Sequence, residues 1–355
     1  MISSRKEEVL RALGTVQDPD LHRDLVSLKM IEDVEVDEGR VSFTLVLTTA
    51  ACPLKDSIEA DCRTAVAGLP WVRETVIQTI SRVRGPKDPR AGRKALEGVA
   101  HVVAVGSGKG GVGKSTVACN LALALAATGS RVGLLDGDIY GPNLPRMLGE
   151  RRQPVARDGK IQPVEVGGLK FMSMGLLVSE GEAVVWRGPM LHGAVKSFLH
   201  DVDWGELDYL LVDLPPGTGD VQLSLVQETF VAGAVIVTTP STVALEDAVK
   251  AVSMFVKLEV PVLGLIENMS YFVCPDCGSR HEIFNSGSPE QRAESLGLTF
   301  LGAVPIHPDV RLGGDTGRPV VLGKPDSEYS RTLTRIAGHL AQRLSIQTLG
   351  AEVTT

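Results

Sequence analysis

The run Ser107-Gly108-Lys109-Gly110-Gly111-Val112-Gly113-Lys114-Ser115-Thr116 constrains this chain more than any other stretch. Before it, His101 to Val105 reads as a buried strand; after it, Thr116 to Ala127 reads as a helix. The glycines therefore fall where strand turns into helix, the context in which GxxxxGK(S/T) cradles phosphates. Without a Cβ the backbone can approach an anion closely and bend. Successive N–H groups then point inward, and the helix start adds its dipole. In such a loop Lys114 supplies a point charge to the β/γ-phosphates and Ser115 a hydroxyl ligand to Mg2+. The bland alternative is a glycine-rich turn that happens to contain a lysine.

Lys109 is not required by this cradle. Lys109-Gly-Gly-Val-Gly-Lys-Ser115 resembles the deviant Walker A loop of the dimeric ATPases related to MinD, ParA and nitrogenase reductase. That resemblance implies a lysine reaching across to the partner's nucleotide, and hence a nucleotide-gated homodimer.

A chain of 355 residues that is 43% hydrophobic can bury one large core and a smaller one. Its 43 acidic residues exceed its 36 basic ones, and a net charge of −7 disfavours stable nucleic-acid binding. No signal peptide or apolar run long enough to span a membrane is expected. The five cysteines, Cys52, Cys62, Cys119, Cys274 and Cys277, point to a reducing cytoplasm and to metal or thiol chemistry rather than disulfides.

Residues 1–81 read as a small α/β domain. It comprises a helix from Ser4 to Leu13, strands Met30–Val36 and Val41–Leu47 joined by Asp37-Glu-Gly39, a helix to Ala67 and a strand Val72–Ile80. Asp18-Pro-Asp-Leu, Asp24-Leu-Val-Ser-Leu and Thr48 with Cys52-Pro53 make it similar to the SufT-like domain of iron–sulfur assembly proteins. Cys52, just before a predicted helix start, is expected to have a lowered thiol pKa and is a possible second metal or cluster contact. The alternative is a small apolar residue filling a turn. Cys62, mid-helix, reads as structural.

Residues 82–98, with Gly85-Pro86, Asp88-Pro89 and six basic side chains, read as a linker. Over 99–346 strands and helices alternate as in a doubly wound, mostly parallel sheet. The runs Val132–Leu135, Tyr209–Val212, Ala234–Val237, Val262–Ile266 and Phe300–Ala303 are nearly unbroken, as strands covered on both faces are. Residues 347–355 read as a polar tail after a last helix of about Glu328 to Leu344.

Asp136-Gly-Asp138 ends one of these strands, where the ligand crevice of an open α/β sheet lies. Resemblance to the switch I region of these ATPases implies Asp138 as the group that orients water and Asp136 as support for Mg2+. Asp213-Leu-Pro215-Pro-Gly217-Thr-Gly219 has the look of a Walker B aspartate running into switch II, with the glycines free to approach a γ-phosphate and withdraw. Asn268 matches the adenine-contacting asparagine of the group, and Pro305 is a candidate flank for the base.

Cys274-Pro-Asp-Cys277 supplies two thiolates, half of a four-cysteine set, and the chain contains no second CxxC. If a twofold dimer joins two copies, four thiolates converge, sufficient for a shared 4Fe-4S cluster. Zinc held by Cys274, Cys277, His281 and a further ligand, a redox disulfide and a structural knuckle are the competing readings. Over nearly its whole length, including Trp186-Arg187-Gly-Pro-Met190 and Asp138-Ile-Tyr-Gly-Pro-Asn-Leu-Pro145, the chain resembles the Mrp/ApbC-type iron–sulfur cluster carrier ATPases. The resemblance implies a cytoplasmic dimer that binds ATP and Mg2+, holds a labile cluster and passes it among scaffold and apo-proteins. The four-cysteine N-terminal extension of some eukaryotic relatives is absent. The rival functions are a MinD/ParA-like positioning switch and an electron-transferring reductase. Arg187, His192 and His281 carry no assigned role.

Overall fold

The computed structural model describes residues 2–85, 94–178, 188–284 and 287–351. The chain forms two compact units, Met1–Arg84 with the residues from Ala341 onward, and Gly85–Leu340.

In the first unit, helix α1 (Ile2–Leu13) buries Val9 and Leu13. Strands β1 (Ile31–Asp37) and β2 (Arg40–Leu47) form an antiparallel hairpin. Its two loop residues, Glu38 at φ +40° and Gly39 at φ +95°, both take positive φ, which matches the twist of the flanking strands. Helix α2 (Lys55–Ala67) crosses over to β3 (Glu74–Ser81), which runs parallel to β2. The alternating Val41, Phe43, Leu45 and Leu47 face Ile58, Cys62 and Val66 of α2 in one core.

The stretch expected as linker is shorter than 82–98. The Arg82 amide donates to the Leu47 carbonyl at 2.8 Å and its guanidinium pairs with Glu32, so this residue extends the first unit. Lys94 accepts from the Phe230 amide at 3.0 Å and Leu96 is buried in the second unit's core. The end of the chain also differs from expectation. The last helix runs from Glu328 to Ala351 rather than stopping near Leu344, and its residues from Ala341 group with the first unit instead of ending the ATPase domain in a polar tail. Within that unit Gln342 donates to Asp20.

The second unit is built on an eight-stranded sheet. In chain order its strands are β4 (Val99–Gly106), β5 (Val132–Asp136), β6 (Val164–Val166), β7 (Leu169–Ser173), β8 (Leu207–Asp213), β9 (Gly233–Thr238), β10 (Val262–Glu267) and β13 (Phe300–Ala303). The spatial order is β6-β7-β5-β8-β4-β9-β10-β13, with every neighbouring pair parallel except β6 against β7. Between β10 and β13 a separate two-stranded hairpin forms, β11 (Phe272–Val273) against β12 (Arg280–His281). Strands β5, β8 and β9 are buried at every position, as their unbroken apolar runs require in a sheet covered on both faces. Helix α3 (Lys114–Ala127) is buried continuously from Val117 to Leu125.

Candidate functional site

Strand β4 delivers the chain into the loop Ser107–Gly113, and α3 begins at Lys114. Gly113 takes the position before the helix at φ +80°. A Cβ there would lie 2.2 Å from Asn268 Nδ2, and one on Gly108 would lie 2.1 Å from the Asp247 carbonyl. Backbone therefore excludes a side chain at Gly108, and at Gly113 the left-handed φ strains one while Asn268 would have to give way. Lys114 is buried, with Nζ 2.5 Å from Asp213 Oδ1 and 3.3 Å from Ser115 Oγ. The loop from Pro215 to Gly219, the expected switch II, is tied to the cradle by Gly217 N donating to Ser107 O at 3.0 Å. Lys109, by contrast, is only half-buried beside the exposed Gly110 and Gly111.

Because β8 lies between β5 and β4, Asp213 and Asp136 are direct register partners at the carboxyl ends of their strands. Both are buried, and burial pushes both carboxyls up, Asp136 well above the usual carboxylate range. The neighbouring Asp213 charge raises Asp136 further, while Lys114 restrains Asp213. Asp136 accepts from Ser173 Oγ at 3.0 Å, from Asp138 N at 3.2 Å and from Leu144 N at 3.4 Å. Asp213 Oδ2 is buried with no hydrogen-bond partner. An orphaned carboxylate oxygen next to Lys114 and Ser115 fits a magnesium ion's water shell.

Asp138 is half-buried and accepts from Gly141 N at 3.2 Å. It lines a cavity of about 270 Å³ together with Lys109 to Thr116 and Pro216. That cavity shares Gly113, Thr116, Asn143 and Met147 with a second of about 480 Å³, lined also by Asn268, Met269, Pro305, Ile306 and His307. The two adjoin as one cleft, with the glycine loop at one end and Asn268 and Pro305 at the other, within the size range of ligand sites. Asn268 Nδ2 donates to Val112 O at 2.9 Å, which leaves its Oδ1 as the acceptor available to a base. Pro215 and Gly219 border a further cleft beside Asp138 and Tyr140.

Sequence reasoning missed Gln222. Its amide accepts from Gly219 N at 3.0 Å and donates to Pro215 O at 2.9 Å and Gly217 O at 3.0 Å, so one side chain shapes the whole switch II loop. The available signal was a Gln at the third position of a helix starting at Asp220. Also missed was the buried pair of Glu267 with Arg292, at 2.7 Å, which fixes the end of β10 just before Asn268.

Cys274 and Cys277 lie on the turn between β11 and β12, Cys274 half-buried and Cys277 exposed, both as free thiols. Cys274 N donates to Ser279 O and Gly278 N to Cys274 O, each at 2.9 Å. The Ser279 hydroxyl and backbone, and then Cys274, hold the Cys277 thiol below its ordinary pKa. His281 pairs with Phe272 in the hairpin ladder. Among the described residues no three of His, Cys, Asp and Glu form a set that could hold a metal ion.

The remaining residues fall elsewhere. Cys52 departs from expectation: α2 begins only at Lys55, and burial, aided by Asp18 and Asp20, pushes its thiol up rather than down. Desolvation outweighs the two backbone amides that would favour a thiolate. Cys62 and Cys119 are fully buried in the cores of their units. His192 pairs with Glu228 at 3.0 Å. Trp186 and Arg187 lie outside the described residues.

Strand, glycine loop, buried lysine and paired aspartates define a P-loop ATPase of the MinD and ParA type. The chain belongs to the NUBPL iron-transfer P-loop NTPase family, whose model matches residues 98–341, and residues 6–79 match the iron-sulfur cluster assembly protein model. It is 52% identical to the iron-sulfur cluster carrier protein of Deinococcus radiodurans, covering 97% of each chain. With the protein of that name from Escherichia coli K12 it is 42% identical, over 96% of this chain and 94% of the relative. A solved nucleotide-binding protein from Archaeoglobus fulgidus in complex with ADP is 38% identical, with a TM-score of 0.57 over 66% of this chain and 92% of its own. The septum site-determining protein MinD from Pyrococcus horikoshii, complexed with Mg-ADP, is 26% identical, with a TM-score of 0.52 over 67% of this chain and 94% of its own. Among the described residues no helix is long and apolar enough to cross a membrane.

Proposed function

We propose that this chain is an ATP-hydrolysing carrier that holds a 4Fe-4S cluster on Cys274 and Cys277 of two subunits and transfers it to apo-proteins. The observation that carries this reading is a pair of free thiols on an exposed turn with no third ligand gathered beside them among the described residues. Two thiolates are half of the usual cluster set, and a second copy of the chain supplies the other half. The cluster is cargo, so exposure and incomplete ligation in one chain suit its release.

At the nucleotide end Lys114 lies against Asp213 and must exchange this partner for the β/γ-phosphates when ATP enters. The exchange would free Asp213 to support a magnesium ion together with the Ser115 hydroxyl and Asp136. Magnesium supplies charge neutralisation on the phosphate oxygens when bound. Asp138, beside the phosphate cavity, orients the attacking water. Asn268 presents Oδ1 to the adenine amino group, while Pro305 flanks the base. Lys109 of each subunit reaches the nucleotide of the other, so ATP draws the two cysteine pairs together. Hydrolysis lets the Gly217–Gly219 loop relax and loosens the hold on the cluster. The clients are apo iron–sulfur proteins and the donors cluster scaffolds, in a reducing cytoplasm.

Anaerobic reconstitution of the full chain with iron and sulfide tests this reading. About two irons per chain and a dimer are expected. Equal loading of the Cys274→Ala, Cys277→Ala protein, or a loaded protein that stays monomeric with ATP, would sink it.

A further inference from the structure

Four residues separate Met269, at the base end of the cleft, from Cys274. Met269 is a non-glycine residue at φ +54°, in the left-handed region that a side chain with a Cβ rarely occupies. It is held there from both sides. Before it, Asn268 N donates to Thr238 O at 2.8 Å and Asn268 Nδ2 to the phosphate-loop carbonyl of Val112 at 2.9 Å. After it, the chain joins the segment that carries the opposite wall of the base end. Ser270 N donates to Val304 O at 2.9 Å, Ile306 N donates to Tyr271 O at 2.7 Å, and Phe272 bridges Ile306 in parallel. Ile306 and its neighbours Pro305 and His307 line the same cavity as Met269.

From Phe272 the ladder continues without a gap. Phe272 pairs with His281 and Val273 with Arg280, and Cys274 N closes on Ser279 O. The return strand is clamped to the root of the hairpin, since the Arg280 guanidinium lies 3.8 Å over the Tyr271 ring. The two chain segments that a bound base separates or draws together are therefore the same two that anchor the cysteine turn.

We propose that Met269 is a positioning residue, a stiff joint that transmits occupancy of the base end to the Cys274–Cys277 turn, with the Arg280–Tyr271 contact as its far clamp. The inference rests on the carrier reading for its purpose. Its geometry concerns only the nucleotide cleft and two thiols. A residue confined to one left-handed well passes on a shift of its neighbours; a glycine in its place has many wells and absorbs the shift.

The test uses the full-length, reduced protein without a cluster and reads the alkylation rate of Cys277 by iodoacetamide, with no nucleotide, with ADP, and with a non-hydrolysable ATP analogue and magnesium. In the parent protein nucleotide changes this rate by about fivefold or more. In Met269→Gly, assayed at saturating nucleotide, the change shrinks to within about twofold. Met269→Asn, which tolerates positive φ yet keeps a Cβ, retains the parent response. Arg280→Gln, which leaves the cleft lining intact, also loses the response, and it decides the matter should Met269→Gly bind ADP poorly. By linkage, cluster loading alters ADP affinity by the same factor as nucleotide alters cluster affinity, and that factor collapses in both uncoupled variants. A parent rate indifferent to nucleotide, or variants that keep the full response, would overturn the proposal. Failure of the carrier reading shows separately, as unchanged iron loading in the double cysteine variant.

Discussion

The phosphate loop and the cysteine turn differ in how much of their own environment they carry. Lys114 and Asp213 are sealed in the sheet, with side chains 6% and 0% exposed, and Gly108 packs directly against the Asp247 backbone. Around Cys277 there is little beyond Ser279, Cys274 and solvent. One site gathers its groups inside a single chain, save for the partner lysine of the proposed dimer; the other is exposed, as the proposed sharing with a second copy or a client requires. Chemistry that needs water excluded suits the first, and cargo that must leave suits the second.

If that contrast is right, the two sites can be broken separately. The largest effect is expected for Lys114→Ala, which removes the charge that meets the phosphates and should slow ATP hydrolysis by about 10³-fold. Iron loading in the absence of nucleotide should persist, as measured by iron content after anaerobic reconstitution. Loss of both would mean that the cysteine turn depends on the cradle for its fold. Next comes Cys274→Ala with Cys277→Ala: iron falls from about two per chain to near zero, while ATP turnover stays within about threefold. A collapse of turnover would show that the two regions are one cooperative unit.

A smaller effect tests the base end. Asn268→Ala removes a side chain that holds the Val112 carbonyl and offers Oδ1 to the base, so KM for ATP should rise about tenfold, the effect of one lost buried hydrogen bond. The preference for ATP over GTP should narrow with it, because Oδ1 accepts from an amino group but repels a carbonyl. An unchanged preference, read from competition between the two nucleotides, would move base recognition elsewhere in the cleft.

The same contrast governs what could be read from the sequence. The cradle was legible because each part has a steric or electrostatic necessity at fixed spacing: glycine where a Cβ would meet Asp247 or Asn268, lysine and hydroxyl at the helix start, aspartates at strand ends. The unbroken apolar strands were legible for the same reason, since nothing else packs between two helical layers. Strands β6 and β7 were not, because Lys170 and Glu165 interrupt their apolar pattern and Gly167-Gly168 between them, at φ +58° and +80°, reads equally as loop. The thiol of Cys52 misled because spacing to a helix start says nothing of burial, and burial outweighed the helix-end amides. The extension of the last helix to Ala351 was hidden by the polar residues Ser345, Gln347 and Thr348, whose burial depends on the fold.

The smallest effect is thermodynamic and concerns Asp136. Burial and the facing Asp213 raise its carboxyl well above the ordinary range, so the folded state binds this proton more tightly than the unfolded chain does. The stabilising contribution is therefore full at acid pH and fades as pH rises from the unfolded value through the folded one. The carboxylates held low by partners, Asp24, Glu32, Glu150, Glu290 and Asp309, lose stability only as pH falls below the usual carboxylate range, so they leave the window above it to Asp136 and Asp213. Nucleotide-free protein should accordingly melt higher at about pH 5.5 than at about pH 7.5. Asp136→Asn, neutral throughout, should flatten that slope and raise the neutral-pH Tm by about 2–4 °C, near 1 kcal/mol for a unit of this size. It should also impair magnesium-dependent turnover, the cost expected of a carboxylate that serves the proposed ion site at the expense of the fold. A lower Tm at neutral pH with the slope intact would show that the hydrogen bonds from Ser173, Asp138 and Leu144 outweigh the buried charge, and that this end of the cradle is as complete without metal as the lysine end is without phosphate.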